Sequence, residues 1–201
     1  MISSFLRTRW PLRALCAPFA LLLLPACLDL KPAPAPVVRW VTVAEVPQRP
    51  EVSLAAPVTP ELRLDRVTSS DAIGESLMRR QSDFELQFDD QVRWVEPPVD
   101  MVRRSLENEL FRRRGFVRTS AGANYLHVEL TAFEETFVPR HEAVVSFVVQ
   151  YFHRDGSGVI LEKTIDGHAA ITDADPALVA QAMSAALHSA ATELSDLLSV
   201  Q

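Results

Sequence analysis

The chain has 201 residues, 48% of them hydrophobic and 23% charged, with a formal net charge of −6. That is enough for one core and too little for several domains, and it excludes disorder throughout. The acidic balance excludes a general grip on nucleic acid, and two cysteines, Cys16 and Cys27, exclude a disulfide-stapled fold and a multi-cysteine zinc site.

Residues 1–13 carry Arg7, Arg9 and Arg13 and no acid, and 14–24 is an uncharged run ending in Leu21-Leu22-Leu23-Leu24. The run is too short to span a bilayer core, which takes about 20 residues. A basic segment, a short apolar segment and a small residue before a cut predict a secretory signal peptide over 1–26. Pro11, Pro18 and Pro25 speak against a helix of the folded body.

Leu24-Pro25-Ala26-Cys27 resembles the bacterial lipobox, with Pro25 in place of the usual small or hydroxyl residue. The resemblance implies cleavage before Cys27, diacylation of its thiol and acylation of the new amino group. Cys27 is therefore the candidate lipidation residue. Cys16 would leave with the signal, and Cys27 would be the one cysteine kept. More than one acyl chain makes such an anchor stable. Cleavage removes three of the 20 basic residues and none of the 26 acidic ones, so the mature net charge becomes −9. Leu28 rather than Asp follows the cysteine, which resembles an outer-membrane address facing the periplasm; Asp29 comes next.

Residues 27–60 read as the lipidated Cys and a Pro-rich tether. Lys31-Pro32-Ala33-Pro34-Ala35-Pro36 favours an extended, semi-rigid spacer. One short strand is predicted within it, at Arg39-Trp40-Val41-Thr42-Val43.

The body is predicted over 61–201. Alternation places strands at 61–67 and 84–88, with a polar loop between them that holds Gly74 and Arg79-Arg80. Pro98 opens a helix whose apolar positions are Val99, Val102, Leu106 and Leu110. Arg112-Arg113-Arg114 suits the C-terminus of that helix, and Gly115 can cap it. Strands follow at 125–136, 143–153 and 159–171, the last two joined by Arg154-Asp155-Gly156-Ser157-Gly158. In the first of them Leu126, Val128, Leu130 and Ala132 share one face. Asp175 caps a final helix that starts at Pro176, with a core stripe of Val179, Met183, Ala186, Ala190, Leu194 and Leu197. Together these elements predict an α+β fold, an antiparallel sheet with two helices packed on one face.

Chemistry is sparse. His127, His141, His153, His168 and His188 include no pair at i, i+4 spacing, and there is no HExxH, G-x-S-x-G or phosphate-binding glycine loop. Glu134-Glu135 and Asp89-Asp90 are adjacent carboxylates; on a strand they point to opposite faces and read as solvated charge. The sequence predicts no catalytic residue, no metal site and no cofactor, and hence a protein that is not an enzyme.

Taken in order, the lipobox, the Pro/Ala tether, the strand 39–43, the strand 84–88, Trp94-Val95-Glu96-Pro97-Pro98, the amphipathic helix, the meander and the last helix resemble the ABC-type transport auxiliary lipoprotein family, paraquat-inducible lipoprotein C type. The link before Trp94 is shorter than is usual there. The resemblance implies a lipid-anchored partner of an MCE-type periplasmic transport subunit and its ABC transporter. It assigns one functional position, Cys27. The alternatives are an outer-membrane assembly or lipopolysaccharide-export lipoprotein, and a periplasmic lipoprotein that itself binds lipid. Association of copies into a homo-oligomer stays open at this level.

Overall fold

A computed structural model describes residues 36–44 and 60–200. The predicted signal, the lipobox with Cys27 and the Pro/Ala spacer up to Ala35 lie outside the described residues. The described residues belong to one compact unit, Pro36–Gln201.

The centre of the fold is an antiparallel meander of three long strands, Asn124–Thr136, Glu142–Phe152 and Val159–Ala170. In chain order these are β6, β7 and β8. The second alternates without a break: Ala143, Val145, Phe147, Val149 and Tyr151 are buried and their neighbours half-buried. One face of the sheet is thus covered and the other wetter, as the sequence predicts.

Two strands share the other edge of β6. β2 (Glu61–Ser69) runs parallel to its first half, with Leu62 opposite Asn124, and β3 (Ser76–Ser82) runs parallel to its end, with Met78 opposite Glu134. β2 and β3 therefore lie end to end along β6. β4 (Glu85–Trp94) returns antiparallel beside β3, and β1 (Arg39–Val41) lies parallel on the outer side of β4, pairing with 92–94. A two-residue strand, β5 (Val117–Arg118), pairs with β2. The sheet is mixed and mostly antiparallel, within an α+β fold.

Both helices lie over the covered face. α1 (Pro98–Glu107) starts at a proline, as predicted, and buries Met101, Val102 and Leu106. It runs on into a π-helical segment, Asn108–Arg113, which turns Glu109 and Leu110 inward together. Gly115 follows at φ 78°, the left-handed conformation that a chain leaving a helix needs. α2 (Pro176–Leu198) is capped by the Asp175 carboxylate, which accepts the Ala177 N–H. Its stripe is core: Val179, Met183, Ala186, Ala190 and Leu194 are buried, and Leu197 packs at the margin. The small residues let α2 press on β8. A Cβ built on Gly167 would sit 2.0 Å from the Ala186 carbonyl oxygen. Each fully buried Leu, Phe or Met contributes about 1.5–3 kcal/mol to this core.

Three expectations change. The loop predicted around Arg79-Arg80 is the strand β3. It has no apolar alternation because Leu77 and Met78 are both buried, on opposite faces. Ala132 is not the inward residue. An irregularity between Leu130 and Ala132 shifts the pairing, and Phe133 takes the core position against Trp94, edge-on at 5.2 Å. Glu134 and Glu135 are not solvated: they are 4% and 0% exposed.

Candidate functional site

The buried glutamates and the two arginines of β3 build one end of the molecule. Adjacent residues on a strand point to opposite faces, so two Arg-Glu pairs form, one per face. On the covered face Arg79 Nε donates to Glu135 Oε2 at 2.8 Å, and Arg79 Nη1 contacts Asp89 Oδ2 at 2.6 Å. His141 Nε2 meets the other oxygen of Glu135 at 2.7 Å, and the His141 ring stacks on Phe137. On the opposite face Arg80 grips Glu134 with both Nε and Nη2. That hydrogen bond raises the Arg80 pKa further, against the opposing effect of burial. A buried carboxylate without a partner costs several kcal/mol, so each pair holds its strand in place.

These pairs clamp a hairpin, β3 and β4, that meets β6 in only three register positions, Met78 to Arg80. The hairpin is apolar where it is most exposed. Phe84 at its turn is 99% exposed, and Leu86 and Phe88 are 40% and 50% exposed. β1 pairs only with 92–94, so β4 has no strand on its outer side at 85–91 among the described residues.

The other residues singled out in the sequence lie apart from one another. His127 meets Asp65, His168 meets Glu142, and His188 meets Arg113. Among the described residues no three His, Cys, Asp or Glu side chains gather as a metal would require. Of the arginine run, Arg113 and Arg114 both bind the buried Glu109, and Arg114 also pairs with Asp196 of α2. This run ties the end of α1 to α2. Glu109 also accepts from Ser195 Oγ, so its charge is satisfied inside the helix layer.

A groove of about 320 Å³ opens between β2, the π-helical segment and β5. Its arginines are engaged. Arg118 pairs with Glu107 and lies over the Phe111 ring, while Arg63 lies over the Tyr125 ring beside Asp65. A charge-lined open groove is unlike the deep apolar cavity that holds a lipid.

The sequence reading missed Glu134, Glu135, Arg79 and Arg80. The available signal was the matched pair of dipeptides, Arg-Arg and Glu-Glu, which a shared register can satisfy on both faces.

The family model described as "ABC-type transport auxiliary lipoprotein component" matches residues 42–195. The chain belongs to this family. The match takes in most of the described body, including the clamped hairpin, α1 and most of α2. Family members are auxiliary components of ABC-type transport, which points away from catalysis. No described helix is long and apolar enough to cross a membrane. Among the solved structures similar in fold are two that span most of the chain. One is a protein from Xanthomonas campestris of the DUF330 family, 22% identical, covering 79% of this chain and 92% of its own, with a TM-score of 0.63. The other is an uncharacterized protein, 12% identical, covering 81% of this chain and 99% of its own, also at 0.63. None of the curated proteins compared with the chain matches it.

Proposed function

We propose that this chain is a periplasmic lipoprotein, acylated on Cys27, that serves an ABC/MCE-type intermembrane lipid transport system by docking to the transport complex. The family match over 42–195 carries the reading. Leu24-Pro25-Ala26-Cys27 supplies the anchor, and Leu28 favours the outer membrane. The tether supports docking rather than bridging. As an extended polyproline-type spacer the nine residues 28–36 span roughly 28 Å, which clears the headgroups without crossing the periplasm. A long partner fixed to the inner membrane has to meet the domain there. The mature net charge of −9 disfavours adhesion to anionic lipid and favours a protein contact.

Crosslinking in cells tests the reading. An MCE-type subunit is the expected product, and deletion should reproduce the envelope defects of losing that transporter. Capture of outer-membrane assembly proteins alone, with normal lipid transport, would overturn it. Intact mass should show an acylated Cys27 at the mature N-terminus, and Cys27→Ser should leave precursor or an unanchored form.

A further inference from the structure

The register of β1 sets the direction in which its N-terminal end points. β1 is parallel to β4 with Arg39 opposite Val92, so the N-terminal end of β1 points towards the β3–β4 turn. Arg39 also meets Asp175, the cap of α2, at 3.4 Å. Asp175 follows the end of β8, where Ala170 pairs with Glu142 and Glu142 with Thr136. The register and the Asp175 contact thus agree that the N-terminal end of β1 points towards the end that carries the hairpin turn.

Among the described residues that end exposes large apolar side chains that nothing covers. Phe84 is 99% exposed, with Leu86 and Phe88 behind it on alternate positions of the strand. Val138, 47% exposed, stands in the neighbouring loop, and the Phe137 N–H donates to the Arg80 carbonyl to tie that loop to the hairpin. Arg79 and Arg80, the nearby cations of β3, are held by Asp89, Glu135 and Glu134. Asp83 and Glu85 flank Phe84.

We propose that this hairpin turn is a second membrane contact, in which Phe84 enters the interface of a bilayer of zwitterionic lipid. The proposal rests on acylation of Cys27 and goes beyond docking to the transport complex. Chain length permits it. From Val92 back to Phe84 is about 26 Å of strand. The twelve residues from Cys27 to Val38 reach about 37 Å when extended, so anchor and turn can meet one surface. A lone aromatic side chain at a turn suits a fluid interface, where aromatic residues are favoured and no shaped pocket is needed. The two carboxylates beside Phe84 outnumber Arg140, the exposed cation of the neighbouring loop, and set a preference for zwitterionic over anionic lipid. A contact this small binds weakly alone and is made effective by the anchor, which holds the turn at high local concentration.

The test uses the mature, acylated chain in phosphatidylcholine vesicles, with an environment-sensitive fluorophore on Phe84→Cys or, as a control, on Ser157→Cys. Ser157 lies in the β7–β8 turn at the opposite end of the sheet. The probe at 84 should shift to the blue and be quenched severalfold more by spin-labelled lipid than the probe at 157. Added phosphatidylglycerol should reduce that difference. An anchored chain whose two probes behave alike overturns the membrane contact, as does a probe at 84 shielded only when a partner protein is added. Maleimide uptake by the wild-type mature chain is read separately. Acylated Cys27 offers no thiol, so uptake overturns the anchor itself rather than the role of the turn.

Discussion

Two parts of this sheet are held by different physics. The β6–β8 meander and α2 are joined by close apolar packing, down to a glycine that admits the Ala186 carbonyl. The β3–β4 hairpin also gives Leu77, Met78, Val92 and Trp94 to the core, but it meets β6 in only three register positions, and there arginine–glutamate pairs on both faces hold it. Apolar packing is non-directional and stabilises the whole unit. Ion pairs with buried carboxylates are directional, and they fix the placement of one arm while adding less net stability.

The contrast can be broken most forcefully at Gly167. Gly167→Leu forces a side chain into α2 and should cost roughly 3 kcal/mol or more, measured by denaturant unfolding, with the whole unit affected. At the hairpin, Arg80→Leu strands the buried Glu134 and should cost about 2–3 kcal/mol. The double variant Arg80→Leu/Glu134→Leu should recover much of that loss, because an apolar pair can replace a buried ion pair. Hydrogen exchange should show faster opening confined to β3 and β4 in the single variant. A uniform rise across β7 and β8 would mean that the arm is not a separate unit.

The smallest effect belongs to Asp175. The Ala177 N–H, with Arg39 adding a smaller Coulombic contribution, holds its carboxyl below the ordinary value. A lowered folded pKa means that its contribution is present above the unfolded value, about 3.9, and fades as pH falls through the folded one. Asp175→Ala should therefore lower Tm slightly at neutral pH, and the gap from wild type should close as the pH drops below about 4. A gap that persists there would assign the effect to something other than the charge.

Most of the apolar architecture was readable because it is periodic. The meander, the start of α1 at Pro98 and the Asp175–Pro176 start of α2 each follow from local spacing or capping. What could not be read depends on partners far away in the chain. Arg79 and Arg80 look like loop residues until Glu134 and Glu135 are set beside them, and those glutamates look solvated for the same reason. Phe133 replaces Ala132 in the core through a local pairing shift that no spacing rule announces. Cys27 is the reverse case: its proposed acylation rests on four consecutive residues, and it lies outside the described residues.

The end-to-end placement of β2 and β3 along β6 also sets an order of assembly. Synthesis delivers a chain N-terminus first. Leu62 must wait for Asn124 and Met78 for Glu134, whereas β6, β7, β8 and α2 are consecutive and find one another through short connections. Non-local pairing is the slow part of folding. The β3–β4 hairpin can close locally, but β2 and the hairpin cannot join the sheet until residues 124–136 have emerged, and the arginines of β3 reach their glutamates only then. The arm that carries Phe84 is thus made well before the strand that seats it.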